Sequence, residues 1–432
     1  MRFHVLAIPH AISTPEYATC AFTQKVVKLC KMLKMRGHYV IHYGHEDSRV
    51  EADETVTVTT NADLEKSYPG WDWRKHSFPS FRWEDHAYQA FYAHSIAEIQ
   101  RRKRPGDFLL CTFGGGHKAV ADAHKDMIVV EPGIGYPSGS FAQFRVFESY
   151  AVMHAYQGQP KIERACNDFW YDAVIPNYFD LADFKFSEYK QNYFLLLGRV
   201  NEGKGAHIAQ LIADATNTEI IMAGHYAGGN AGLQASKNVK LVGIVDPHKR
   251  KQLLTRARAV LCPSTFMEPF CGTQIEAMLS GTPVISSDWG AFSEYLVHGV
   301  TGYRCKTFEQ FVWAANNITN IKPIDCRTWA ERFSLERIGP MFDEYFESVA
   351  AVADGRGWYA PKPGRVSLDN TTFNARMGLE QPPPVLSPVV PPAGAIPIGG
   401  MTTTPPPPGV KVVPVTLEDL QTLQPSAGPP TR

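Results

Sequence analysis

The sequence predicts an α/β chain made of two parallel-sheet domains followed by a disordered tail. Three observations predict it. Strand-like apolar runs alternate with helix-period segments, the first 360 or so residues suit two domains of ordinary size, and the composition changes at Pro361. Lys and Arg number 43 and Asp and Glu 43, so the net charge is zero and neither nucleic acid nor a membrane surface is favoured as a partner.

Phe3 to Ile8 is a short β-type run ending at Pro9-His10, a periodic segment from Ala21 to Met35 is closed by Gly37, and Val40 to Tyr43 reads as the next strand. This order opens a parallel βαβ sheet, in which ligand groups gather at the carboxyl ends of the strands. His10, Ser13 and Thr14 lie at such an end. His10 reads equally as a contact to a substrate and as a structural loop histidine. Residues 68–92 hold three of the eight tryptophans. Such a density can line a sugar-stacking groove, although aromatic clusters more often fill a core.

Asp107 to Cys111 is a buried strand followed by Gly114-Gly115-Gly116-His117, and Met127 to Val130 is another, ending in Glu131 ahead of Tyr136. Gly114, Gly116 and Ala119 fit G-x-G-x-x-A, with Glu131 where a ribose-binding acid would sit. That admits a dinucleotide oxidoreductase, but the motif falls late in the sheet and nothing else offers a hydride-transfer site. Phe147 to Tyr150 begins a helix that runs through Tyr156.

The second domain opens on the apolar strand Tyr193 to Leu197, followed by Gly198-Arg199 and Lys204-Gly205. Glu219 to Ala223 and Val239 to Val245 are further strands, and Lys249-Arg250-Lys251 reads as a solvated helix face. Ala259 to Cys262 is a buried strand that breaks at Pro263-Ser264, and a helix re-forms with its first turn after Gly272-Thr273. Glu268 and Glu276 therefore flank a helix N-terminus. That terminus favours a phosphate, and the carboxylates accept hydrogen bonds from hydroxyls. Hydroxyls on both sides of a phosphate describe a nucleotide sugar. Glu294 reads as a local cap, and residues 326–358 as helical.

The stretch EPFCGTQIE, Glu268 to Glu276, resembles the E-x7-E signature of the retaining, GT-B-fold glycosyltransferases of family 4, the glycosyl transferases group 1, and GTPVISSDWGAFSEYLVHGVTGY resembles its continuation. Asp172 to Asp180 resembles the family's V-I-P-N-G-V-D, Gly198 to Gly205 its G-R-x-x-x-x-K-G, and Val242 to Val245 its L-G-x-V. The resemblance extends over most of residues 1–358. It implies an acceptor-binding Rossmann-like domain over 1–185, a nucleotide-sugar-binding one over 186–335, a helix over 336–360 returning to the first domain, and a Pro-rich tail over 361–432.

The same resemblance implies that Arg199, Lys204 and Glu268 serve transfer of a hexose to a glycan, lipid or protein-linked acceptor. Gly198, Ile244, Val245, Phe270, Cys271, Gly272, Thr273 and Glu276 then belong to the donor site. Two departures stand out. The family's first-domain histidine is replaced at the corresponding strand end by Glu131, which leaves His10, His117, Glu131 and Tyr136 as candidates on that side. The glycine of E-x-F-G-L comes one residue later, in Phe270-Cys271-Gly272.

The chain has no Asp-x-Asp to hold a metal on a diphosphate, so cations and a helix start are the expected substitute, with no metal and no cofactor beyond the donor. Eight scattered cysteines without a C-x-x-C exclude a zinc site or disulfide framework and suit a reducing compartment. With no signal h-region and no apolar span, the expected location is cytoplasmic. The tail, with Pro382 to Pro384 and Pro405 to Pro408, is expected to be disordered and to offer a site for a protein partner or none. A catalytically silent nucleotide-sugar-binding scaffold acting through that tail is the alternative to an enzyme.

Overall fold

Thirteen strands form two separate sheets, and every pairing within them is parallel among the described residues. The computed structural model describes residues 1–358 except 18, 77–78, 137–138, 159–169 and 227–230, and these lie within one compact unit, Met1–Gly378. The Pro-rich tail lies outside the described residues.

The first sheet holds β1 (Arg2–Leu6), β2 (Tyr39–His45), β3 (Glu54–Thr59), β4 (Phe108–Cys111), β5 (Ile128–Ile134), β6 (Phe144–Phe147) and β7 (Ala173–Val174), in the order β3-β2-β1-β4-β5-β6-β7. The second holds β8 (Tyr193–Leu197), β9 (Glu219–Ala223), β10 (Val239–Gly243), β11 (Ala259–Cys262), β12 (Val284–Ser287) and β13 (Gly302–Cys305), in the order β10-β9-β8-β11-β12-β13. Each is a Rossmann-like arrangement whose strand order reverses beside its first strand. The carboxyl ends at that reversal form a ligand crevice.

Buried apolar strands make this possible. Every residue of β4, β8 and β11 is buried, as parallel strands covered on both faces require. Three elements differ from the sequence reading. Glu131 lies inside β5 rather than at its end, Phe147 closes the short strand β6, and the helix begins only at Tyr150 behind its Ser149 cap. The alternating Glu54-Thr-Val-Thr-Val-Thr59 is an additional strand, β3.

The chain crosses between the domains at two adjacent points. Phe179 donates its N–H to Phe333 O at 2.8 Å and accepts from Leu335 N at 3.0 Å. After Ser334, the helix Leu335–Ala353 packs back onto the first domain. Phe346 lies 4.7 Å from Phe3 and 5.5 Å from Phe108 between ring centroids, and Asp343 accepts from His38 at 2.8 Å. Phe346 is fully buried, so Phe346→Ala should cost about 3–5 kcal/mol of stability in urea unfolding. A loss below about 1 kcal/mol would mean that the returning helix does not secure the first domain.

Candidate functional site

The site is assembled where β8 and β11 end side by side. Past β8, Gly198 (φ 138°) turns the chain so tightly against Gly224 that a Cβ on the latter would lie 1.8 Å from Gly198 O. The next loop is held by Asn201, whose side chain accepts from Lys204 N at 2.9 Å. Gly205 (φ 71°) lets this loop lie on Pro263, where a Cβ would fall 2.0 Å from the carbonyl oxygen. Thr265 N donates to Gly203 O at 2.9 Å and joins the loop to the one after β11.

These contacts carry Lys204 onto Glu268. The ammonium reaches Glu268 Oε1 at 2.6 Å, Ser264 Oγ donates to the same oxygen at 2.6 Å, and the Phe266 ring lies 4.9 Å from the ammonium. Glu268 is 3% exposed, whereas the Lys204 side chain retains 24%. Burial disfavours the charged lysine, but the Glu268 carboxylate outweighs it, and the lysine pKa is raised. Among the described residues no donor reaches Glu268 Oε2 and no carboxylate pairs with exposed Arg199. The site thus offers an open carboxylate oxygen, an open guanidinium and a lysine.

The helix Gly272–Leu279 begins beside them, with Thr273 Oγ1 donating to Leu197 O at 3.3 Å. Gln274 N donates to Cys271 O at 3.0 Å, which leaves the N–H groups of Gly272 and Thr273 to favour an anion as at any helix start. The displaced glycine has a structural answer: Cys271 itself takes the left-handed conformation (φ 61°, ψ 74°) before the helix. A hydrogen bond from the Cys262 thiol to Cys271, with burial, holds that thiol well above its ordinary pKa. Phe270 is buried, with its ring 5.0 Å from Tyr295.

Glu276 is paired with Arg250, so that basic helix is not merely a solvated face; residue spacing alone could not show which of its cations turns inward. Ile244 and Val245 are half-buried beyond Gly243, whose carbonyl accepts from Gly224 N at 2.7 Å.

The first domain reaches the same loop. Met267 packs against Ile134, Phe147, Val152 and Tyr156, and Tyr295 donates its hydroxyl to Glu148 O. Glu294 is a cap, though across the domains rather than locally, accepting from Tyr150 N at 2.9 Å and Ala151 N at 2.8 Å. Burial raises its carboxyl pKa, and these N–H groups oppose the shift. Lys25 donates to Gly133 O at 2.8 Å and to the Glu148 carboxylate.

The first-domain candidates are built into the walls. Glu131 is buried and accepts from Tyr136 OH (2.5 Å), Ser140 Oγ (2.7 Å), Phe141 N (3.0 Å) and Ala142 N (2.9 Å). His117 meets Ala7 O at 2.8 Å through Nε2 and accepts from Phe113 N through Nδ1 at 3.3 Å. His10 meets Tyr88 OH at 2.8 Å. Burial lowers the pKa of His10 to about 3 and that of His117 to about 4, so both are neutral.

With this geometry in place, residues 180–332 match the family model of Glycosyl transferases group 1. That segment, most of the second domain, is thus similar to the glycosyl transferases group 1 family. Spore coat protein SA of Bacillus subtilis (strain 168) is 26% identical over 144 residues, 29% of this chain and 38% of that protein. A glycogen synthase of Mycobacterium tuberculosis (strain CDC 1551 / Oshkosh) is 31% identical over 147 residues, 31% of this chain and 35% of that protein. The chain therefore spans little more than a third of the length of these relatives. AviGT4, a glycosyltransferase involved in avilamycin A biosynthesis, superposes with TM-score 0.62 at 17% identity, covering 81% of this chain and 98% of that one. Anabaena Alr3699/HepE, solved in complex with UDP-glucose, does so with TM-score 0.57 at 18% identity, covering 81% and 100%. The two-domain frame as a whole is thus a GT-B fold.

Two outcomes follow. Because Cys271 is left-handed, Cys271→Gly should stay within about 1 kcal/mol of the parent in urea unfolding, while Cys271→Val should lose about 1–3 kcal/mol; equal tolerance of both would contradict the turn. The depressed His117 pKa means that the unfolded imidazole takes up a proton near pH 6.5 and the folded one does not, so stability is present above pH 6.5 and lost as pH falls towards 4. Between pH 7 and 5, His117→Gln should therefore lose roughly 2 kcal/mol less stability than the parent.

Proposed function

We propose that the chain is a retaining glycosyltransferase of the family 4 type that moves a hexose from a nucleotide diphosphate sugar to an acceptor hydroxyl held by the first domain. The observation that carries this reading is the pairing of Lys204 with buried Glu268 near a helix start at the strand reversal of the second sheet, with Arg199 close enough to act on the Lys204 charge. The group 1 match, and the UDP-glucose held by HepE on the same frame, support it.

In this reading Arg199 grips the diphosphate oxygens with its planar fork, Lys204 adds a point charge, and the N–H groups from Gly272 and Thr273 complete the cradle. As the bond from the sugar to the diphosphate breaks, its electron pair goes to the diphosphate, and these groups stabilise the growing charge without a metal. The acceptor oxygen forms the new bond to the sugar, and its proton passes to the departing diphosphate. Glu268 takes a sugar hydroxyl through Oε2 while Oε1 is held by Lys204 and Ser264. Glu276, steadied by Arg250, takes the ribose hydroxyls, and the backbone at Ile244 and Val245 meets the base.

His10, His117 and Glu131 fix the first-domain wall, and Tyr136 lines it. Domain closure excludes water, the competing acceptor. The free, mostly buried cysteines suit a cytoplasmic enzyme. Among the described residues no helix is long and apolar enough to cross a membrane.

The test is turnover of a panel of UDP-, GDP- and ADP-sugars, read as nucleotide released with EDTA present. One donor should be turned over, and Lys204→Ala and Glu268→Gln should each lower kcat/KM by roughly 10²–10³. If no donor reacts and Glu268→Gln leaves nucleotide-sugar binding intact, the silent scaffold is the better reading.

A further inference from the structure

A cavity lies on the first domain, at the carboxyl ends of β1 and β2 and the start of the helix after β3. Its volume is about 710 Å³, within the usual range for a small-molecule site. Two tryptophans line it. Trp71 and Trp73 each turn part of their ring system to buried clusters, Trp73 lying 5.1 Å and Trp71 6.3 Å from the Tyr17 ring, and both remain half-buried with surface left for the cavity. The core and groove readings of this aromatic stretch therefore both describe it.

Around the indoles stand Glu46, Asp47, Glu65 and Asp72. Each is already oriented. Glu46 accepts from Asn61 N at 2.7 Å, Asp47 from Asn61 Nδ2 at 2.9 Å, Glu65 from Gly70 N at 3.2 Å, and Asp72 from Arg74 N at 3.0 Å. A carboxylate has about four lone-pair sites, so each keeps acceptor capacity for a ligand hydroxyl. The two lining guanidiniums are engaged: Arg49 pairs with Glu16 at 2.8 Å, and Arg74 lies 4.3 Å over Trp73 and 3.7 Å from Asp72, which Lys75 also approaches at 3.4 Å. Four carboxylates against two occupied guanidiniums disfavour an anion.

The part of the two indoles that remains uncovered, ringed by fixed hydroxyl acceptors, matches the alternating C–H faces and hydroxyl edges of a sugar. We propose that this cavity binds a neutral saccharide. It is tied to the domain cleft through one loop. Ile12 and Thr14 line the cavity, and Gln24 donates to Thr14 O (3.0 Å) and Tyr17 O (3.1 Å) from the helix Ala21–Met35, whose Lys25 reaches Glu148. The bound saccharide is accordingly part of the acceptor, an assignment that rests on the glycosyltransferase reading, whereas saccharide binding itself does not.

The experiment uses the full chain and four probes: maltotetraose, mannotetraose and chitotetraose as neutral saccharides, and tetragalacturonate as an anionic one. Binding is read by saturation-transfer NMR and tryptophan fluorescence, with donor hydrolysis measured alongside. At least one neutral tetrasaccharide should bind saturably, with affinity falling at least about tenfold in Trp73→Ala and less in Trp73→Phe. Glu65→Gln, at an exposed position away from the core, should weaken it about threefold and decides the matter if Trp73→Ala does not fold. Absence of binding by every neutral probe, preference for tetragalacturonate, or parental affinity in both Trp73→Ala and Glu65→Gln would overturn the proposal. Saccharide binding of the expected kind without turnover of any donor would leave the pocket standing and remove the glycosyltransferase reading.

Discussion

The buried Glu268 carboxylate, held by Lys204 and Ser264 on a single oxygen, is the interaction on which the rest of the second domain's site depends. An ionised carboxylate at 3% exposure is tolerated only when paired and hydrogen-bonded. Bringing Lys204 to it demands that the loop after β8 lie directly on the loop after β11, and Gly205, with no room for a Cβ against the Pro263 carbonyl, is the local expression of that demand. Arg199, exposed in the same loop, is close enough to act on the Lys204 charge. One ion pair thus sets the position of the loop that carries both cations against the loop that carries the carboxylate.

That pair is also linked to the first domain. Met267, adjacent to Glu268, sits on the Ile134 and Phe147 cluster, and Tyr295 and Glu294 bond the backbone of residues 148–151. Gly290, at φ 60°, approaches the Glu268 backbone so closely that a Cβ would lie 3.1 Å from its carbonyl oxygen, so the segment carrying Glu294 and the loop carrying Glu268 are in direct contact. With both chain crossings paired at Phe179 and residues 333–335, relative movement of the domains would be felt at Glu268 through a short mechanical route.

Much of this was legible in the residues. Uninterrupted apolar runs such as Tyr193 to Leu197 can only be covered parallel strands, and two carboxylates flanking a helix start carry their chemistry in their spacing. What stayed hidden was long-range or conformational. The Glu294 cap joins residues some 140 positions apart, and nothing local distinguishes it from an ordinary helix-start acid. Arg250 shares its helix face pattern with Lys249 and Lys251, so only the fold selects it for Glu276. His117 sat in a glycine-rich loop that usually marks exposure, yet it is sealed between Ala7 and Phe113. β3 was readable from its Thr-Val alternation, whereas β6 and β7 are too short to give a period.

The central claim is that Arg199, Lys204 and the helix start form a metal-free diphosphate cradle. Calorimetric titration of the full chain with UDP and with GDP, in EDTA, tests it most directly. One-site binding of a nucleoside diphosphate is expected, weakened at least about tenfold in Arg199→Ala and again in Lys204→Ala. Binding of neither nucleotide, or binding that appears only when a divalent cation is supplied and is unchanged in both variants, would contradict it.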